Sequence, residues 1–377
     1  MFGLREIKGM KENGITLVAL VITIVILLIL AGISISTLSN TGIFKKAKDA
    51  KQKYEEAEND QNKILDEYET ELDQYNENTL VYKVNNGIVK IGDYVAYSPD
   101  DASTEEILNE LKAYSGSSDN TNLTLTQEKN LNWRVLDVKD GHVRLISEKP
   151  TTSSITLRGA IGYNNAVYLL DKTCKILYSN QLASNVQNLK REDIQKYLTY
   201  DYTQHTNSKV DTGKYGGTKE CTENRWYPNI FSKEKTAWVD GVQGTEYDLS
   251  EQTEPINSGS TYANTNIKMV QTLWDKLMVS NDFKESIYYN LFIKHGKSDS
   301  IYWLSTRCVD AGKDDMGFYI ACVDKENVRG DAIYASLNGV GSYSDSFRPV
   351  VTLNSGVQLD TTKDANGSDA DHAYAIK

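Results

Sequence analysis

The chain has 377 residues, of which 40% are hydrophobic and 25% charged, with a formal net charge of −11 and an isoelectric point near 5.0. This composition supplies apolar material for one large domain or two small ones and excludes a chain that is disordered over most of its length. The acidic balance excludes general nucleic-acid binding, which needs clustered Lys and Arg against phosphates, and the one basic cluster, Lys45, Lys46, Lys48, Lys51 and Lys53, reads as a headgroup-facing or solvated helix turn.

The first fourteen residues form a polar leader ending at Gly14. No charged side chain occurs between Glu12 and Lys45, and residues 15–35 are almost wholly apolar, enough to cross a hydrocarbon layer of ~30 Å as a helix. A secretory signal places its apolar run before the cleavage site, whereas here the polar-to-apolar junction is itself the expected cut. The segment Lys11-Glu12-Asn13-Gly14-Ile15-Thr16-Leu17 resembles the processing site of type IV pilins and pseudopilins. The resemblance implies cleavage between Gly14 and Ile15 by a prepilin peptidase, N-terminal methylation, retention of the apolar segment in the membrane, and pilin-like subunits as partners. Ala19 stands where the family carries Glu, a residue tied to subunit docking, so the departure bears on polymerisation more than on processing.

Ser39-Asn40-Thr41-Gly42 breaks the apolar run with cap and turn formers. Beyond it Ile43, Ala47, Ala50, Tyr54, Ala57, Gln61, Ile64, Tyr68, Leu72 and Tyr75 recur in three- and four-residue steps, which predicts an amphipathic helix over 43–76. Small Ala and polar Gln61 in the seam favour packing on the chain's own domain or on neighbouring subunits over a coiled coil with a partner.

Short strands are expected next. Residues 81–84 and 88–91 flank Asn85-Asn86-Gly87 and predict a hairpin, because Asn-Gly accepts the positive φ of tight hairpin turns. A strand follows at 92–97, then a helix opened by the capping box Ser103 and Glu106 that buries Ile107, Leu108 and Leu111. Residues 115–130 read as an exposed loop, and 133–138 with 142–147 as a second hairpin about Asp140-Gly141. Helical patterns occupy 191–198, 267–278 and 282–293, and 200–265 reads as a long irregular excursion carrying short strands. The last strands are expected at 302–305, 317–323 and 347–353, separated by loops at 310–315 and 330–346 and followed by a polar, frayed tail.

The sequence of Gly92-Asp93-Tyr94-Val95, Trp133-Arg134-Val135-Leu136, Tyr302-Trp303-Leu304 and closing Phe347-Arg348-Pro349-Val350 resembles bacterial surface domains of the C-type-lectin-like and formylglycine-generating-enzyme folds. The fold class so implied is α+β: a long membrane-rooted helix followed by a C-type-lectin-like domain with short antiparallel strands and long loops. Its parts are a leader at 1–14, a transmembrane helix at 15–38, an amphipathic helix at 39–78, a globular domain at 79–355 and a polar tail at 356–377. In that fold the loops before the last strands form the binding face, which nominates Asp310, Asp314, Asp315, Asp331, Tyr334, Asn338, Tyr343 and Asp345 as ligand-binding residues. The oxygens of Asp310, Asp314, Asp315, Asp324 and Asp331 would suit Ca²⁺, although Glu254-Pro255-Ile256 lacks the amide of the lectin motif. The alternation of framework and loop residues over 302–348 also suits a diversified surface. Formylglycine-generating enzymes hold copper with closely spaced Cys, whereas thirteen residues separate Cys308 from Cys322.

The other two Cys are Cys174 and Cys221, and the four allow three disulfide pairings in an oxidising exterior. His142, His205, His295 and His372 are scattered, with no nucleophile, phosphate-loop or zinc motif around them, so no enzyme is expected. Tyr is used 24 times, and Tyr215, Tyr227, Tyr247, Tyr262, Tyr319, Tyr334 and Tyr343 fall among Ser, Gly and Asn, the composition of adaptable recognition loops. The expected function is that of a pilin-like, single-pass membrane protein that displays a domain outside the cell and binds a glycan or surface protein in adhesion or recognition. The alternatives are a minor pilin or pseudopilin serving pilus or type II secretion assembly and, third, a formylglycine-generating type of enzyme.

Overall fold

The computed structural model describes residues 23, 43–118, 120, 125–197, 217–233, 250–272, 281–294, 301–324, 327–336, 339–363 and 365–377. The processing site at Gly14 and Ile15 lies outside these residues, as does the apolar segment 15–38 apart from Thr23. Two compact units are present, Met1–Glu67 and Tyr68–Lys377, and helix α1 (Ile43–Tyr75) runs through both.

Charged residues crowd both sides of the α1 seam, so the helix is amphipathic rather than apolar. The seam itself is exposed: Tyr54 by 66%, Ile64 by 52%, Tyr68 by 64%, Leu72 by 71% and Tyr75 by 84%. Within the second unit its last members, Tyr68, Leu72 and Tyr75, do not pack on the domain, which leaves neighbouring subunits as the other expected partner. Within the second unit the end of α1 is held by polar groups, with the Ser355 hydroxyl donating to Asp73 Oδ2 at 2.9 Å and the Thr79 hydroxyl to the Asp73 carbonyl at 2.6 Å.

The remaining described elements are α2 (Leu80–Asn85), β1 (Tyr94–Ala96), α3 (Glu105–Tyr114), β2 (Trp133–Lys139), β3 (His142–Ser147), β4 (Ser154–Arg158), α4 (Gly159–Tyr178), β5 (Ala183–Asn188), α5 (Arg191–Gln195), β6 (Thr218–Cys221), β7 (Trp226–Pro228), α6 (Ile230–Lys233), β8 (Ser260–Tyr262), β9 (Ile267–Val270), α7 (Asn281–Glu285), α8 (Ile287–Phe292), β10 (Tyr302–Ala311), β11 (Met316–Asp324), β12 (Asn327–Ala335), β13 (Ser342–Ser346), β14 (Pro349–Leu353) and β15 (Tyr374–Ala375). A six-stranded sheet has the order β15-β1-β2-β3-β14-β5, and a five-stranded sheet the order β12-β11-β10-β13-β4. Two short ribbons, β6-β9 and β7-β8, complete the strands.

This mixed α/β body, rich in strands and poor in helix, corrects the expected α+β arrangement of a membrane-rooted helix and a C-type-lectin-like domain. Among the described residues no helix is long and apolar enough to cross a membrane. The expected 330–346 loop is mostly strand, since β12 and β13 occupy it. The helix expected at 267–278 begins instead as β9, whose alternating burial of Ile267 and Met269 fits a strand period of two. The polar tail is not frayed, because β15 pairs in parallel with β1.

Asn85-Asn86-Gly87 shows how one turn signal serves two structures. Thr79 caps α2, its hydroxyl accepting from the Tyr82 amide, and Asn86 closes the helix. Gly87, at φ +70°, donates to the Val84 carbonyl in the left-handed position that helix ends favour. The same residues would suit a hairpin, but burial of Leu80 and Val81 on one helical face decides for α2. The second hairpin forms as expected, with Lys139 paired to His142 across Asp140 (φ 51°) and Gly141 (φ 76°).

Helix α4 touches both large sheets and has fourteen of its twenty residues buried. Its two buried amides fasten neighbouring loops. Asn164 donates to the carbonyls of Ser258 and Gly259 at 2.7 Å each and accepts from the Ile230 amide, while Asn165 donates to the Ile256 carbonyl at 2.9 Å and accepts from its amide at 2.7 Å. These bonds set the path of the chain into β8.

Two buried arginines brace the six-stranded sheet. Arg348, 1% exposed, donates to the carbonyls of Ser147, Glu148 and Phe292 and to the Tyr302 hydroxyl, at 3.0–3.3 Å. Arg144 grips both oxygens of Asp137 at 2.6 Å and reaches Asp193 at 2.7 Å. Lys196 and the Tyr197 hydroxyl also donate to Asp137, and the Tyr197 ring stacks on Tyr288 with centroids 3.5 Å apart.

Candidate functional site

The nominated residues do not converge. Asp310 is buried in β10 and accepts from Gln271 at 3.3 Å, Asp314 is exposed and its carbonyl accepts from Asn224 at 2.9 Å, and Asp315 accepts from the Ser336 hydroxyl at 2.5 Å. These three stabilise the turn between β10 and β11. Asp331 and Asp345 lie against one another at a separate place, between β12 and β13. Among the described residues no three His, Cys, Asp or Glu side chains are grouped to hold a metal ion. Asn338 falls outside the described residues.

All four Cys are free and buried. Three of the thiols have polar company: Cys308 Sγ lies 3.0 Å from an Arg191 nitrogen, Cys322 Sγ lies 3.4 Å from Asp331 Oδ2, and Cys221 donates to the Asn224 carbonyl at 3.1 Å. Burial raises the pKa of Cys174, Cys221, Cys308 and Cys322 alike, so none is poised as a thiolate.

What the fold does place around the start of α4 is a set of exposed apolar side chains. Tyr343 is 41% exposed on β13, Val340 57%, Ile161 37%, and Tyr262 and Trp226 42% each. Backbone neighbours, rather than direct side-chain contacts, connect most of this row. The Tyr343 ring abuts Gly341, the Gly341 carbonyl accepts from the Gly159 amide at 3.2 Å beside Val340, and Ile161 packs at Gly259, which leads into β8. Tyr262 then meets Trp226 across the β7-β8 ribbon, edge to face with centroids 5.4 Å apart. Tyr334, 9% exposed, lies behind the row and hydrogen-bonds the Ser260 side chain.

Glycine keeps the row low. A Cβ at Gly341 would sit 2.1 Å from the Ala332 carbonyl, and Gly159 holds φ +60°, so neither position takes a side chain without a backbone shift. Polar groups fringe the aromatic end. Arg225 lies 5.4 Å over the Tyr262 ring, donates to its hydroxyl at 3.0 Å and to the Asn264 carbonyl at 2.9 Å, and Thr261 donates to Asn229 at 2.6 Å. The result is a shallow face of rings and methyls with hydrogen-bonding groups at its edge.

Sequence reasoning named Tyr262, Tyr334 and Tyr343 but missed Trp226, Ile161 and Val340. Trp226-Tyr227-Pro228 inside a Thr- and Gly-rich stretch was the available signal, since an isolated Trp among polar residues is either buried or used. It missed a second feature as well. The centre of β10, Ser305-Thr306-Arg307-Cys308, is polar and wholly buried. Ser305 donates to Asp171, Thr306 to Glu192, and Arg307 to Gln252, at 2.7–2.9 Å. The cavity beside Arg191, Thr306, Arg307 and Cys308 is about 20 Å³, room for a single water, so this network braces the fold rather than receiving an organic ligand. No protein-family model, no curated protein and no solved structure matches this chain, so the row of apolar side chains is the ground on which its function must be argued.

Proposed function

We propose that the chain is a pilin-like cell-surface recognition protein, cut after Gly14 and retained at the membrane by residues 15–38, whose second unit binds a glycan through the row Tyr343, Val340, Ile161, Tyr262 and Trp226. The exposed row carries this reading. A pyranose has apolar C–H faces and a hydroxyl edge, which matches aromatic and aliphatic side chains fringed by Arg225, Thr261, Asn229 and Asn264.

Full-length protein in nanodiscs, applied to a glycan array, should give hits that weaken at least tenfold in Trp226→Ala and again in Tyr262→Ala. The melting temperature should change by no more than a few degrees, because both rings lie at the surface, 42% exposed. A blank array, or hits that survive the double substitution, would sink the glycan reading. Mass spectrometry of the membrane fraction should find a mature N-terminus at Ile15, and an intact Met1 would remove the pilin-like half of the proposal. The exposed α1 seam favours a second reading, in which the helix serves assembly with pilin-like subunits. Blank arrays together with loss of pili or of secretion on deletion would select it.

A further inference from the structure

β13 is attached unevenly. Five residue pairs join it to β4, but a single pair, Tyr302 with Ser346, joins it to β10. The chain enters it through Val340 and Gly341, and Tyr343 is its second residue, so two of the five members of the apolar row depend on where this strand lies.

Asp345, near the end of β13, turns toward β12. Its carboxyl hydrogen-bonds that of Asp331, which is 3% exposed, and its Oδ2 is buried with no hydrogen-bond partner. The titratable and charged groups facing it are Asp331 and Arg329 on β12 and Asp324 and Cys322 on β11. The paired positions on its two sheet neighbours hold Ile155 opposite Asp345 and Tyr302 opposite Ser346. Arg329 already serves two carboxylates, bonding Asp331 and, at 3.0 Å, Asp324. A third carboxylate in that group has no cation of its own, and two carboxyls bonded to one another must share a proton.

We propose that the Asp331–Asp345 pair is a proton latch: one shared proton holds β13 against β12 and keeps Tyr343 in the binding row, and loss of that proton loosens the strand and weakens ligand binding. The consequence for binding rests on the function proposed above, whereas the latch itself does not. Burial, and after it the Asp331 charge, push the Asp345 carboxyl up to about 7. For a carboxyl raised in the folded state, the contact is fully present below its ordinary value of 3.8 and is lost as pH rises through about 7.

Amide hydrogen exchange of the full chain between pH 5.5 and 8.5, corrected for intrinsic rates, tests the latch. The exchange-competent fraction of residues 342–346 should rise about tenfold per pH unit above 7, while that of residues 349–353 stays level. Asp345→Asn keeps a hydrogen bond without a titration and should abolish the rise. That control matters because Asp171 on α4 is also pushed up by burial to about 7 and continues to titrate in the variant. Protection of β13 that is independent of pH, or a rise that persists in Asp345→Asn, overturns the proposal. Failure of the row as a binding face shows separately, as arrays blank at pH 6 and pH 8 with the exchange pattern intact.

Discussion

Arg348→Met strongly destabilises the second unit: the expected result is a markedly lowered melting temperature by circular dichroism and faster exchange of amides across the six-stranded sheet. Met matches the apolar length of the side chain but strands the carbonyls of Ser147 and Glu148, while the Phe292 carbonyl keeps the Tyr302 hydroxyl at 2.6 Å. Each buried acceptor left unpaired costs about 1–3 kcal/mol, so two of them take a large part of the stability of a typical domain, about 5–15 kcal/mol. The guanidinium tolerates burial because those carbonyl dipoles and the Tyr302 ring, 5.4 Å away, surround it, although desolvation pulls its pKa below the ordinary value. Arg348→Lys retains the charge but not the planar fork and should give a protein that folds with reduced stability. Wild-type-like melting of Arg348→Met would show that water replaces the guanidinium and that the bracing role is wrong.

The second large effect is expected at Arg144. Its loss in Arg144→Met leaves Asp137 and Asp193 buried without their shared cation, a change that costs about 3–5 kcal/mol in comparable settings. The same site sets acid stability. Burial alone would raise the Asp137 carboxyl, but bonds and charges from Arg144, with Lys196 second, outweigh it and hold the pKa down at about 2. A carboxyl lowered in the folded state contributes stability that is present above its ordinary 3.8 and lost as pH falls from there through about 2, here about 2 kcal/mol. Urea titrations at pH 7 and pH 3 should show a drop of about 1 kcal/mol from this group in the wild-type chain, and a smaller one in Arg144→Met, where Lys196 and Tyr197 still bond Asp137. Equal drops in both would mean that the acid response comes from elsewhere.

Local features were legible in the sequence where one period dominated. The α1 seam, the hairpin around Asp140-Gly141, the helix burying Ile107 and Leu111, and the buried closing strand all follow from spacing, although α3 starts after Thr104 without the expected Ser103–Glu106 capping box. α4 was not legible, because a helix buried almost all round shows no stripe, and Asn164 and Asn165 interrupt its apolar pattern. Sheet order was hidden too. β14 lies between β3 and β5, and β15 beside β1, pairings of distant segments that no local window contains. The binding row suffered from both limits. Its aromatic end is brought to Ile161 only by amide bonds from α4 to residues 256–259, so Tyr343 could be suspected from composition while its neighbours could not.

β15 pairs in parallel with β1, the first strand of the second unit, across most of that unit's sequence. The β1 edge of the six-stranded sheet is therefore covered by a two-residue strand from a distant segment, a pairing of high sequence separation that forms only after the intervening chain has folded or collapsed. Deleting residues 374–377 would uncover that edge and leave the order β1-β2-β3-β14-β5 beneath it in place, so the harm would fall on the edge of the sheet as a new site for strand pairing rather than on its core.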